Sequence, residues 1–265
     1  MKVIIHSNFS KLHTKEILCN VEKILKSRNV EILYDDDTEE SIKSCDFIIT
    51  IGGDGTIIHH SKNAALYNKP ILGINAGRVG FLTELEKDEL YLIEKIIDSD
   101  YSVEKRSMLK VQLNGKKYYC LNDTVISKGA ASRMIDIFVE LDNEVVTYRA
   151  DGLITATPTG STAYSLSAGG AIIEPNIGAI LLTPICAQKA FAKSIAINMD
   201  TAIKIKVNCP DNTEAYLTID GEIAKKLKNT DVVSINKEEN LFVNLIKLQN
   251  KSFYKKISEK LTAGE

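Results

Sequence analysis

Hydrophobic period is the property that most restricts what this 265-residue chain can fold into, and it changes near residue 100. Before that point, short apolar runs alternate with helical patterns. Lys2 to His6, Val30 to Tyr34, Asp46 to Ile51 and Pro70 to Ile74 read as strands. After the first of them Ile17, Leu18, Val21, Ile24 and Leu25 fall on one face of a helix, and another helix is expected over Asp88 to Ile97. Strands alternating with helices predict βαβ units, hence an α/β domain at 1–100 with a Rossmann-like parallel sheet covered on both faces. Beyond it, alternation takes over: Ile135, Ile137 and Val139 interleave with Asp136, Phe138 and Glu140, and Ile203, Ile205 and Val207 with Lys204, Lys206 and Asn208. Turn signals at Asn114-Gly115, Asp142-Asn143 and Asp220-Gly221 separate such runs. A β-rich, β-sandwich-like domain is therefore expected at 101–248.

Composition removes several function classes. With 44% apolar and 26% charged residues, disorder is not expected. Lys and Arg number 33 against 35 Asp and Glu, so nothing in the net charge of −2 attracts nucleic acid or an anionic membrane. Residues 1–6 show no secretory pattern, and the uncharged stretch Pro175 to Gln188 is too short to span a bilayer. A cytoplasmic protein is expected. Five cysteines without a CxxC pair read as reduced core fillers, and His6, His13, His59 and His60 lie far in sequence from any cysteine pair that could complete a zinc site. The acidic run Asp35-Asp36-Asp37-Thr38-Glu39-Glu40 reads as a solvated loop leading into a helix, with a cation site as the alternative.

Chemistry is suggested by two glycine loops. Gly52-Gly53-Asp54-Gly55-Thr56 follows a buried strand, at the sheet edge where open α/β folds bind ligands. Gly52, Gly53 and Gly55 would allow positive φ and close approach of backbone N–H groups to phosphate, while Thr56 would cap the helix that follows. A bare carboxylate would repel that phosphate. Asp54 therefore meets a hydroxyl to be deprotonated or a bridging cation, unless it merely caps a tight turn. Asn75-Ala76-Gly77-Arg78-Val79-Gly80-Phe81-Leu82 follows the next strand, and Arg78 either clamps phosphate or is an exposed loop arginine.

From Asp151 to Gly170 small hydroxyl residues and glycine dominate and no period persists. The tract reads as a long polar loop, rich in donors and acceptors and poor in apolar area. Long loops of this kind inside compact domains are usually functional.

In chain order, the Gly-Gly-Asp-Gly-Thr loop, Gly73 to Leu82, Leu121-Asn122-Asp123, Asp151 to Gly170 and Leu182-Thr183-Pro184-Ile185-Cys186 resemble bacterial NAD kinase, most specifically at Thr157-Pro158-Thr159-Gly160-Ser161-Thr162-Ala163-Tyr164-Ser165-Leu166-Ser167. The resemblance implies a kinase of two domains with NAD in the cleft between them and the terminal segment 249–265 returning to the first. Asp54 would be the base that takes the proton of the adenosine ribose 2′-hydroxyl as it attacks the γ-phosphate of ATP. Gly52, Gly53, Gly55, Thr56 and Arg78, with a divalent cation such as Mg2+, would handle the ATP phosphates. Asp54, Gly55, His59, Asn122, Asp123, Arg133, Arg149, Asp151, Thr162, Ala163, Tyr164, Ser165, Leu166, Ser167 and Ala187 would contact NAD, in a homodimer or homotetramer. By themselves Asn122 and Asp123 read as turn residues, Arg133 and Arg149 as surface charges, and His59 as part of a solvated helix face. The chain departs from the family pattern at Asp123 (Glu is usual), Ala150 (Gly), Ala187-Gln188 (Pro-His) and Glu222 (Gln). A lipid kinase sharing the first loop, and a sensor that binds NAD without turnover, are the rival readings. The polar 151–170 tract argues against the first and the retained Asp54 against the second.

Overall fold

Uninterrupted apolar runs become strands buried on both faces, and alternating runs become strands buried on one. Both kinds are present in the computed structural model, which describes residues 1–77, 80–130, 133–189, 192–210, 213–249 and 252–262. The chain divides into two units, Met1–Arg106 with Leu241–Glu265, and Ser107–Asn240.

The first unit contains β1 (Lys2–Ser7), α1 (Thr14–Ser27), β2 (Glu31–Tyr34), α2 (Glu39–Ser44), β3 (Phe47–Gly52), α3 (Asp54–Leu66), β4 (Ile71–Asn75) and α4 (Ile93–Ile97). Its strands lie parallel in the order β2-β1-β3-β4, in register from Val3 opposite Phe47 and Ile48 opposite Ile71. Every residue of β3 and β4 is buried, as a parallel sheet covered on both faces requires. Ile17, Val21 and Leu25 of α1 pack on Ile5, Ile49 and Ile51, each such side chain contributing about 1.5–3 kcal/mol. The helix expected over Asp88 to Ile97 is shorter, a 3-10 turn at Leu90–Leu92 running into α4.

The second unit is built from β5 (Ser102–Leu113, which enters from the first), β6 (Lys116–Cys120), β7 (Asp123–Lys128), β8 (Ile135–Leu141), β9 (Glu144–Ala150), β10 (Gly152–Ala156), α5 (Tyr164–Ser167), β11 (Ala179–Ile185), β12 (Ile195–Asn198), β13 (Ile203–Asn208), β14 (Ala215–Ile219), β15 (Ile223–Leu227) and β16 (Val233–Lys247). One antiparallel sheet runs β12-β11-β10-β7-β14-β15, and β9, β8, β13 and the start of β16 form another ladder. Ile135, Ile137, Val139, Ile203 and Ile205 meet Ile126, Leu153, Ile180, Leu182 and Leu217 in one core, which makes the unit a β-sandwich. All three expected turns are hairpin turns with positive φ at the two named positions, 50° and 75° at Asn114-Gly115, 46° and 73° at Asp142-Asn143, and 46° and 73° at Asp220-Gly221; the first two are two-residue loops, and the third adds Glu222 before Ile223 pairs with Ile219.

β16 then passes into the first unit, where Leu245 pairs parallel with Ile71, and α6 (Phe253–Thr262) ends the described chain.

Two expectations are corrected. The 151–170 tract is not a loop: Gly152–Ala156 is a fully buried strand between β7 and β11, followed by a 3-10 turn at Gly160–Thr162 and the single-turn helix α5. Its hydroxyls hide its order, because they replace apolar contacts with local hydrogen bonds. Nor are all five cysteines core fillers. Cys45 and Cys120 are buried, Cys209 is half-buried, Cys19 and Cys186 are exposed, and none is paired.

Candidate functional site

In the first unit the site is built where β3 ends and α3 begins. Gly52, Gly53 and Gly55 all lie outside the positive-φ region, so their role is spatial and not the backbone freedom expected of them. A Cβ on Gly52 would stand 2.1 Å from Thr56 Oγ1, whereas at Gly53 and Gly55 it would meet nothing within 4 Å. Those two positions leave the approach to the start of α3 open. Thr56 is not the helix cap either: Gly53 occupies that position, and the Thr56 hydroxyl is buried without a hydrogen-bond partner.

Asp54, the first residue of α3, is half-buried and its carboxylate is fixed. Phe81 N–H donates to one oxygen at 2.8 Å and Leu82 N–H to the other at 3.0 Å. Each oxygen keeps acceptor capacity for a further proton donor. Gly80 makes the contact possible, since a Cβ there would lie 2.1 Å from Asp54 Oδ1. Lys256 of α6 holds the same loop, donating through Nζ to Phe81 O at 3.1 Å and Thr83 O at 2.7 Å. Burial and the Lys247 cation bring the Lys256 ammonium down to about 8. Behind the loop, buried Glu84 pairs with Lys247 and accepts N–H bonds from Leu248 at 2.9 Å and Gln249 at 3.1 Å. Arg78 lies outside the described residues. His59 is exposed, edge-on to His60.

In the second unit a cavity of about 310 Å³ is lined by Asn122, Asp123, Ala163, Tyr164, Thr218 and Asp220, among others. The tract that follows β10 is tied to its rim. Thr157 donates its N–H to Asn122 O at 2.8 Å and its hydroxyl to Leu121 O at 2.6 Å, and Gly160 lets the backbones meet, because a Cβ there would stand 2.1 Å from Asn122 O. Ser165 turns inward to Thr183 at 2.8 Å, so its hydroxyl positions α5, while Tyr164, Leu166 and Ser167 are exposed and Thr162 is half-buried. Asp123 is buried, and desolvation together with Asp220 raises its carboxyl to about 7. Asp220 is raised by burial to about 6, although it accepts N–H bonds from Leu121, Asn122 and Asp123 at 2.8–3.0 Å. Those three donors favour the ionised form of Asp220, while burial and the neighbouring Asp220 charge favour the neutral form of Asp123.

The remaining candidates do not line this cavity. Asp151 precedes β10, at the end opposite Ala156, which pairs with Asp123. There its backbone N–H bonds Ile185 O at 3.0 Å and its carboxylate meets Lys128 at 3.3 Å. Arg149 pairs with Asp136 at 3.0 Å and its carbonyl accepts Gln188 N–H at 2.9 Å, next to half-buried Ala187; Arg133 is exposed.

Sequence reasoning missed three functional candidates. Gly80 lies in the second glycine loop, but nothing local shows that its missing Cβ seats Asp54. Asp220 reads as a turn residue, which it is, while its carboxylate accepts N–H bonds from a segment some hundred positions away. Lys256 sits in an amphipathic terminal helix with no motif at all.

Both family profiles that match describe one enzyme: the ATP-NAD kinase N-terminal domain over residues 2–101 and the ATP-NAD kinase C-terminal domain over residues 121–248. A protein named NAD kinase from Caldicellulosiruptor saccharolyticus is 38% identical over 264 residues, covering 98% of this chain and 99% of its own. Another NAD kinase, from Caldanaerobacter subterraneus subsp. tengcongensis, is 43% identical over 84% of this chain and 81% of its own. An NAD kinase from Archaeoglobus fulgidus, solved in complex with ATP, superposes with a TM-score of 0.81 at 26% identity over 99% of both chains. Yeast NADH kinase complexed with NADH shares the fold, with a TM-score of 0.87 at 24% identity over 99% of this chain and 87% of that one.

Proposed function

The chain belongs to the ATP-NAD kinase family, and from that premise we propose that it transfers the γ-phosphoryl group of ATP to the 2′-hydroxyl of the adenosine ribose of NAD, giving NADP and ADP. The O2′–P bond forms as the bond from the γ-phosphorus to the β–γ bridging oxygen breaks, and the hydroxyl proton passes to Asp54. Phosphoryl transfer depends on positioning and on charge stabilisation, so a single well-held carboxylate suffices on the nucleophile side.

The observation that carries this reading is the seating of Asp54, with both oxygens fixed by loop amides at the end of a buried strand. Beside it, Gly53 and Gly55 leave the helix N-terminus open to phosphate. Gly52 and Thr56 shape that turn, and Arg78 is proposed to join it. Magnesium, a hard cation that keeps oxygen ligands and water, is read as part of the ATP substrate.

For NAD we assign the cavity formed by Asn122, Asp123, Ala163 and Tyr164, with Thr162 in the adjoining 3-10 turn and Ser165, Leu166 and Ser167 in α5 proposed to complete it. His59, Arg133, Arg149, Asp151 and Ala187 complete the proposed contacts. The last three gather beyond the far end of β10, and we infer a homodimer or homotetramer in which a second copy presents them. A cytoplasmic setting fits five unpaired cysteines, and no described helix is long and apolar enough to cross a membrane.

Asp54→Asn tests the assignment. Loss of a general base should lower kcat for NADP formation by about 10²–10⁴, with an unchanged circular-dichroism spectrum. Turnover near that of the wild type would remove Asp54 from the role.

A further inference from the structure

One group of side chains in the first unit is not used by the proposed phosphoryl transfer. β1 brings in His6, the segment after β2 brings Asp35 and Asp37, and α3 brings His60. His6 is 1% exposed and its ring stacks on that of His60, with centroids 3.6 Å apart and planes within 8°. Asp37 Oδ1 lies 3.2 Å from His60 Nδ1 and 3.6 Å from His6 Nε2. On the other side of the His6 ring, Nδ1 is 3.7 Å from Asp35 Oδ1, an oxygen that also accepts Ser7 N–H at 3.0 Å. His6 Nε2 itself is buried and has no hydrogen-bond partner.

An orphaned nitrogen on a buried imidazole calls for an explanation. A tetrahedral ion with bonds of about 2.0–2.1 Å holds its donors about 3.3–3.4 Å apart, and the two distances to Asp37 Oδ1 bracket that spacing. One donor atom from each of His6, Asp37 and His60 fits within 4.8 Å of the others. We propose that His6, Asp37 and His60 bind a divalent transition-metal ion of the zinc class, with Asp35 orienting His6 from behind.

The donor chemistry selects the ion. Two imidazoles and one carboxylate suit zinc, cobalt or nickel, whereas magnesium and calcium require oxygen ligands. Asp35 stands where ligating histidines commonly find a carboxylate on their second nitrogen. Binding would turn the ring planes out of their present stack so that their in-plane lone pairs converge, and would join β1 and the acidic segment to α3, the helix that begins at Asp54. The acidic run thus supplies a ligand, and histidines without cysteines supply the rest.

The test uses the full chain after chelator treatment, titrated with zinc alone and followed by calorimetry, metal analysis and thermal melts. One equivalent of tightly bound zinc, a rise in melting temperature and an intense tetrahedral visible band when cobalt replaces zinc are expected, since an ion that binds only the folded state stabilises it. Magnesium at the same concentration should leave the melt unchanged. His60→Gln should abolish all three signals, and Asp37→Asn, at an exposed position, repeats the test if the variant at half-buried His60 does not fold. Failure of the wild type to take up zinc, uptake unchanged in both variants, as exposed Cys19 and Cys186 would give, or an equal effect of magnesium would overturn the proposal.

Discussion

One methyl group separates Gly80 from alanine, and at this position it would stand 2.1 Å from Asp54 Oδ1 and 2.9 Å from Thr83 Oγ1. Gly80→Ala should therefore displace the carboxylate and leave most of the first unit intact. A fall of about 10²-fold in kcat, with a far smaller change in melting temperature, is the expected result, the size following from an error of about 1 Å in a reacting group. Asp123 offers a prediction of a different kind. It holds its proton up to about pH 7 in the folded chain, but to only about pH 4 when unfolded. Between those values the unfolded state binds fewer protons, so this residue makes stability fall as pH rises from about 4 to about 7. Asp123→Asn should melt above the wild type at pH 8 and alongside it near pH 4, as thermal scans across that range would show. Asp54 was legible at this scale because a carboxylate among phosphate-binding glycines demands a chemical reason. Gly80 and Asp220 were not, because each acts on an atom that folding brings in from 26 to about 100 positions away.

At the scale of elements, α6 reaches the site without contributing a group to the chemistry. Lys256→Met keeps the length of the side chain and removes its donors, leaving the Phe81 and Thr83 carbonyls without that partner. A loss of about 1–3 kcal/mol in urea unfolding is expected, together with a reduced kcat and little change in KM for ATP. Gly160 joins the polar tract to β7 in a similar way, and Gly160→Ala should cost about 1–3 kcal/mol through its collision with Asn122 O. Regular elements announced themselves through period, and the hairpins through residues that tolerate positive φ. The tract after β10 did not. Its buried Thr157, Ser161 and Ser165 bond to Leu121 O, Pro158 O and the Thr183 hydroxyl, which fixes a shape that no hydrophobic count registers.

For the whole molecule, the change of period near residue 100 reported two unlike architectures, because parallel and sandwich sheets bury their faces differently. It could not show that both are threaded by one late strand, since pairing between Ile71 and Leu245 leaves no local trace. The inferred assembly can be tested at this scale. Asn122 and Asp151 flank opposite ends of β10, whose five residues extend about 13–17 Å. If a second copy supplies Asp151, two inactive variants, Asn122→Ala and Asp151→Ala, should regain activity when dissociated together and reassembled. Random pairing in a two-fold dimer predicts roughly a quarter of the wild-type sites. Activity absent from the mixture, with native mass equal to the 29.3 kDa chain, would refute the assembly.

The late arrival of β16 also has a consequence for biosynthesis. β4 emerges from the ribosome with its outer edge unpaired, and the residue that pairs with it, Leu245, follows 170 positions after Asn75. At ~5–20 residues per second the nascent sheet waits about 10–35 s for its partner. During that interval an apolar edge stands open to neighbouring nascent chains, so slow translation or early termination before residue 245 should favour aggregation over a soluble fragment.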